Sequence, residues 1–227
     1  MFRAALFDLD GTLLDTAADL AAAASRMHDA LGLPRRSLEE VSRFVGRGIS
    51  RLVERCLSGD MERRADPLEV QRALSVFSGF YAEESGRHSR IYPGVVEGLQ
   101  ALREAGMPLG CVTNKAARFT GPLLEQLGLA RYFAVIVSGD TVARAKPDPL
   151  PFTHACERLG VRPGETVVIG DSANDVIAAH AAGCKALCVP YGYREGRALE
   201  SLGCDAIVAD VLAAAEYILA ANDTLGE

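Results

Sequence analysis

The sequence predicts an α/β protein, a doubly wound, Rossmann-like parallel sheet core interrupted early by an inserted helical domain. Three observations predict it. From Pro93 onward, short apolar runs alternate with helical segments, the rhythm of a parallel sheet covered on both faces. Residues 16–88 contain no convincing strand. The polar residues gather where strands end, the edge at which open parallel sheets bind ligands.

The first strand is the apolar run Ala4-Ala5-Leu6-Phe7, which leads into Asp8-Leu9-Asp10-Gly11-Thr12. Four helices follow: Thr16–Leu31 behind a Thr cap, Ser37–Phe44, Ile49–Leu57, and Pro67 to about Glu84. The alternating part continues with helix Val95–Ala105, strand Pro108–Thr113, helix Ala116–Leu127, strand Ala134–Ser138 and helix Pro149–Leu159. Strand Thr166–Gly170, helix Asn174–Ala182, strand Lys185–Val189, a short helix near Arg194–Ser201, strand Ala206–Val208 and helix Val211–Ala220 complete it. The expected division is a core of residues 1–15 and 89–227 with a helical cap of residues 16–88. Joints are expected near Asp15-Thr16 and between Gly86 and Gly94, so that the insertion can lie over the sheet edge as a lid.

Composition narrows the functional classes. With 227 residues, 49% hydrophobic and 24% charged, the chain can bury a proper core and carries no sign of disorder. Its net charge of −6 argues against a nucleic-acid partner. Its apolar runs are too short for a membrane span, and the N-terminus runs straight into the acidic strand without a signal-like segment. The six scattered cysteines form no Cys-x-x-Cys pair and read as buried or half-buried thiols. A cytoplasmic protein is expected. Residues 16–90 carry a net charge of +1 against −7 for the remainder, so the insertion is the part better suited to face an anion.

Asp8 and Asp10 are separated by one residue at a strand end, so their side chains point the same way. At about 5 Å and an effective dielectric of roughly 20 they repel by about 3 kcal/mol. A shared proton, a metal ion or water can offset this. Asp8 is a candidate nucleophile toward phosphorus, and Asp10 can protonate a leaving alkoxide and deprotonate an attacking water. Thr113 and Asn114 offer hydrogen-bond donors to equatorial phosphoryl oxygens, and Lys146 offers a point charge. Lys146 stands out because the chain has three lysines (Lys115, Lys146 and Lys185) against 21 arginines. Asp171 and Asp175, four apart at a helix start, with Asp8 and the backbone carbonyl of Asp10, make an oxygen-rich set suited to Mg2+. Taken singly, each piece has a structural alternative: a turn at Asp8–Gly11, helix caps at Thr113-Asn114 and at Asp171-Ser172, an exposed loop at Lys146-Pro147. Their joint occurrence at successive strand ends favours a site.

FDLDGTLLDT (Phe7–Thr16), VTNK (Val112–Lys115), AKP (Ala145–Pro147) and IGDSANDV (Ile169–Val176) together resemble the four motifs of the haloacid dehalogenase superfamily of phosphatases, over nearly the whole chain. Within it, VGRG (Val45–Gly48), TNKAARFTGPLLEQLGL and VPYGYREG resemble the phosphoglycolate phosphatase group. The resemblance implies a four- or five-helix cap and Mg2+-dependent hydrolysis of 2-phosphoglycolate to glycolate. It implies Asp8 as nucleophile, Asp10 as general acid/base, and Asp8, Asp10 and Asp171 as metal ligands with Asp175 in support. It also implies Thr113 and Lys146 on the phosphate, and Arg47, between two glycines, is the expected contact for a substrate carboxylate. Expected partners are a small phosphorylated metabolite, no nucleic acid and no membrane, with the chain acting as monomer or homodimer. Other members of the superfamily acting on sugar phosphates or pyrophosphate share these motifs. A dehalogenase has no use for Asp10, and a cap without lysine does not suit Schiff-base chemistry. A receiver-type phosphorylation switch needs no seventy-residue insertion.

Overall fold

The computed structural model describes residues 1–224. Its central sheet is built from β1 (Ala4–Phe7), β4 (Leu109–Val112), β5 (Val135–Val137), β6 (Thr166–Gly170), β7 (Lys185–Cys188) and β8 (Ala206–Ile207). The spatial order is β5-β4-β1-β6-β7-β8, every pairing parallel. Counted along the sheet strands alone this is the doubly wound order in which the winding reverses between β1 and β6, and ligands bind at that reversal.

Every residue of β1 is buried, and its side chains alternate between two covered faces as a central parallel strand requires. Ala5 and Phe7 face the cluster built on α5 (Val95–Glu104), α6 (Ala117–Gln126) and α9 (Val211–Asp223), whereas Leu6 faces α7 (Leu150–Leu159) and α8 (Ala173–Ala182). Leu9 continues into the first cluster and leaves Asp8 and Asp10 at the strand's carboxyl edge.

Between β2 (Leu14–Asp15) and β3 (Arg90–Ile91) lie α1 (Ala17–Leu31), α2 (Leu38–Phe44), α3 (Gly48–Ser58) and α4 (Pro67–Glu84). Their starts follow local chemistry. Ser37 and Glu40 form a reciprocal capping box, and Asp66 accepts from the amides of Leu68 and Glu69 with Pro67 at the first helical position. The four helices bury their own apolar cluster around Met27, Phe44, Leu52, Phe77 and Tyr81, joined by Phe119 from α6.

Two expectations are corrected. Thr16 stands at the start of α1, but its hydroxyl donates to Asp10 Oδ1 at 2.7 Å and makes no cap bond; Asp15 Oδ1 accepts the Ala17 amide instead. The helix expected near Arg194–Ser201 shrinks to a 3-10 turn at Leu199–Leu202, because Glu195, at φ 52°, turns the preceding segment toward the insertion. The β2–β3 ribbon was not anticipated, since two-residue strands carry no periodic signal.

The second joint is fixed by one buried carboxylate. Asp19, fully buried in α1, accepts from the amides of Gly86 (2.8 Å), His88 (2.7 Å) and Ser89 (3.1 Å) and from the Ser89 hydroxyl (2.5 Å). Replacing it leaves these donors without a partner. Asp19→Ala is expected to lower unfolding free energy by about 2–4 kcal/mol in urea titrations followed by circular dichroism. A loss below about 0.5 kcal/mol, the scale of ordinary surface changes, would mean that the joint is held by other contacts.

Candidate active site

Four strand ends converge at the reversal of the sheet. Asp8 and Asp10 follow β1, Thr113–Lys115 follow β4, Lys146 arrives on the loop after β5, and Asp171–Asp175 follow β6. These residues, Asp171 and Ala173 excepted, line one cleft together with Leu20, Val45, Gly46, Gly48, Ile49 and Leu52 of the insertion. Gly11 (φ 93°) and Gly192 pack so closely on the Asp171 carboxylate that a Cβ at either position would collide with it.

The acids are arranged around two buried ammonium groups. Lys146 Nζ donates to Asp8 Oδ1 (2.8 Å), Asp175 Oδ1 (2.6 Å) and the Val112 carbonyl (2.7 Å), which occupies all three of its protons. Lys115 Nζ contacts both oxygens of Asp10, at 2.9 and 3.1 Å, and lies over the Tyr81 ring. Burial opposes the charge of each lysine, but the adjoining carboxylates, Asp10 for Lys115 and Asp175 with Asp8 for Lys146, push both ammoniums above the ordinary lysine range. Burial pushes the Asp8 carboxyl up to about 7 against the pull of Lys146, with Asp175 and Asp10 adding to the rise. Among the described residues Asp171 has no cationic partner. It accepts from the Thr12 hydroxyl (2.9 Å) and the Tyr193 amide (2.5 Å), and burial, with Asp175 and Asp8 beside it, raises its carboxyl well above the usual range.

Asp8, Asp171 and Asp175 each place an oxygen within 4.8 Å of the others. Three hard carboxylate donors, two of them driven toward protonation by burial, fit a divalent cation. The Asp10 carboxylate stands apart from this trio, facing Lys115 and Thr16, so its expected share in a metal site rests on its backbone carbonyl alone. Asp175 is held on its other oxygen by the Ser172 amide and hydroxyl.

Thr113 Oγ1 accepts the Lys115 amide (3.1 Å), which leaves its hydroxyl proton free to donate into the cleft. Asn114 lines the cleft, and its side chain joins two neighbouring segments. Its amide nitrogen donates to the carbonyls of Gly46 (3.0 Å) and Lys146 (2.9 Å), and its oxygen accepts the Lys146 amide (2.9 Å), so the side chain is fully engaged in joining the Lys146 loop to the insertion. Arg47 is 41% exposed and lies 3.4 Å from Glu195; its neighbours Gly46 and Gly48 line the cleft, whereas Arg47 itself does not. Sequence reasoning gave Lys115, Thr12 and Tyr193 no role. Lys115 had a usable signal, since two of the three lysines in an arginine-rich chain are buried here.

Lys146→Met leaves Asp8 and Asp175 facing each other in a buried site, and breaking such a pair costs about 3–5 kcal/mol. Without the ammonium the Asp8 carboxyl moves further up. A group with a raised folded pKa supports the fold below its unfolded value near 4 and loses that support as pH rises through the folded value. The penalty, measured by urea unfolding in EDTA, is therefore expected to be larger at pH 8 than at pH 5. Equal penalties would remove Asp8 from the influence of Lys146.

The family model described as haloacid dehalogenase-like hydrolase matches residues 2–183. A protein from Thiobacillus denitrificans named phosphoglycolate phosphatase is 51% identical over 213 residues, 94% of each chain. One of the same name from Nitrosospira multiformis is 48% identical over 95% of each chain. Among solved structures, a protein from Haemophilus somnus described as a predicted phosphoglycolate phosphatase superposes with a TM-score of 0.88 at 32% identity, covering 95% of this chain and 97% of that one. With the acids, the two lysines and the threonine meeting at the sheet reversal as described, this chain belongs to the haloacid dehalogenase-like hydrolase family.

Proposed function

We propose that the chain is a Mg2+-dependent phosphomonoesterase that hydrolyses 2-phosphoglycolate to glycolate and phosphate through an aspartyl-phosphate on Asp8. One observation carries the reading: a buried carboxylate, Asp8, lies at the sheet reversal with a lysine ammonium on one of its oxygens and a second acid, Asp10, two residues away. The names borne by relatives up to 51% identical over almost the whole chain supply the substrate.

Asp8 attacks phosphorus with the oxygen that Lys146 does not hold. Thr113 donates its free hydroxyl proton to an equatorial oxygen, and Lys146 supplies positive charge as the phosphoryl group approaches. Asp10, steadied by Lys115 and Thr16, gives a proton to the departing alkoxide and later takes one from the water that releases phosphate. Bound among Asp8, Asp171, Asp175 and the Asp10 carbonyl, Mg2+ would neutralise charge on the acids and on the phosphoryl oxygens. Asn114 acts as a positioning residue for the Lys146 loop.

Residues 16–88 act as the cap, with residues 1–15 and 89–227 as the core, and Gly46-Arg47-Gly48 reads the substrate's carboxylate. Support for the cap comes from its separate apolar cluster and from the joints fixed at Asp15–Ala17 and at Asp19. No helix among the described residues is long and apolar enough to cross a membrane, and the six cysteines are free, five of them buried. Free thiols support a reducing cytoplasmic setting for the enzyme.

Asp8→Asn is expected to abolish multiple-turnover phosphate release from 2-phosphoglycolate with Mg2+ present, measured by phosphate assay. Retained turnover would end the nucleophile assignment. Release by the wild type that stopped near one equivalent per chain would instead favour a phosphorylation switch. Arg47→Ala is expected to raise KM for 2-phosphoglycolate by about tenfold or more, the scale of a lost charge-assisted contact, with far less effect on a phosphate ester lacking a carboxylate. Equal effects on both esters would exclude Arg47 from substrate recognition.

A further inference from the structure

The loop that follows β7 touches three places that the reaction needs in register. The Tyr193 amide donates to Asp171 Oδ2, so the loop's backbone holds one acid of the cluster. The Tyr193 hydroxyl donates to Asp15 Oδ1 (2.5 Å) and accepts from the amides of Thr16 (2.9 Å) and Ala17 (3.0 Å), at the joint where the chain leaves the core for α1. Two residues on, Glu195 meets the insertion. Its carboxylate accepts from Arg55 Nη1 (2.7 Å) and lies 3.4 Å from Arg47 Nε.

The Arg55–Glu195 pair is unlike the exposed ion pairs of the molecule. Arg55 is fully buried and the Glu195 side chain is 7% exposed. Arg55 Nη1 also donates to the Phe44 carbonyl (2.9 Å), just before the Val45–Gly48 stretch that lines the cleft, and its Nη2 has no hydrogen-bond partner among the described residues. Glu195 is the one non-glycine residue with positive φ among those described, a conformation unfavourable for a residue with a Cβ and kept when its surroundings demand it. Opening the insertion would expose a buried guanidinium and carboxylate together, whereas closing it requires both to find each other.

We propose that Tyr193 and Glu195 are positioning residues that seat the cap: Glu195 latches Arg55 and holds Arg47 beside the glycines that line the cleft, and Tyr193 ties that seating to the joint and to Asp171. This rests on the reading of residues 16–88 as a cap. The latch makes the core itself a determinant of substrate choice, because the arginine proposed to read the substrate's carboxylate is paired with a glutamate from outside the cap.

The test compares the full-length wild type with Glu195→Gln and Tyr193→Phe by amide hydrogen exchange and by kinetics. In Glu195→Gln, exchange across residues 44–50 is expected to rise about tenfold. Its kcat/KM for 2-phosphoglycolate is expected to fall about tenfold, and that for para-nitrophenyl phosphate, which has no carboxylate, by about twofold at most. In Tyr193→Phe, exchange at Thr16 and Ala17 is expected to rise about tenfold, with a smaller rise across residues 44–50. Exchange across residues 44–50 within about twofold of wild type in folded Glu195→Gln overturns the latch. If that variant does not fold, unchanged exchange at both segments in Tyr193→Phe overturns the proposal. Failure of the wild type to hydrolyse 2-phosphoglycolate would count against the proposed function and leave the exchange comparison valid, so the two failures are separable.

Discussion

Buried charge at the carboxyl edge of the sheet is the constraint on which the rest of the structure depends. Asp8, Asp10, Asp171 and Asp175 bring four carboxylates to the cleft, and Lys115 and Lys146 bring two ammonium groups. Each uncompensated buried charge costs several kcal/mol, so neither set is tolerable without the other. The parallel order β4-β1-β6 is what allows the pairing. Adjacent parallel strands lie about 4.8 Å apart, close enough for a side chain from one strand end to reach the next. Lys115 thus reaches Asp10 from β4, while Lys146 reaches over β4 to Asp8 and Asp175 and ties its loop to the Val112 carbonyl. With all four acids ionised the formal balance is −2, and the raised carboxyls of Asp8 and Asp171 show how strongly burial opposes that charge. One divalent cation held by these acids would cancel it.

The same balance explains what the sequence could reveal. Strands and helices with more than one period of burial were legible: α4 falls on the expected residues because Asp66-Pro67 announces its start, and β6 because Thr166–Gly170 is continuously buried. The acids were legible because two carboxylates at a strand end have no cheap structural explanation. Their partners were not. A hydrogen bond from Tyr193 to Asp15 joins residues far apart in the chain, and no local pattern encodes it. Thr16 illustrates the limit: a threonine before a helix reads as a cap, but its side chain turns to donate to the Asp10 carboxylate, a strong charged acceptor far enough back in the chain to leave no local signature. Asn114 illustrates it again, since an amide at a strand end looks available until the Lys146 loop and Gly46 fill its valences.

How the helical insertion meets the core follows from the kinds of contact involved. Its own helices are held together by a continuous apolar cluster that takes in Phe119 of the core, and its contacts to the cleft edge add polar, directional ones: the Gly46 carbonyl on Asn114 and Asn174, and Arg55 on Glu195. Apolar area attracts without regard to orientation, whereas a hydrogen bond to a carbonyl holds only within a narrow geometry. Contacts of the second kind fix how the insertion is placed at the cleft edge. The residues at the contact fit that demand. Gly46, at φ 134°, brings its carbonyl within reach of both asparagines in a backbone conformation that a larger residue resists, and Gly48, at φ 73°, lets α3 begin immediately beyond. Arg47 sits between them with its Nε 3.4 Å from Glu195, so its place is set by the insertion's backbone and by a carboxylate of the loop after β7 together.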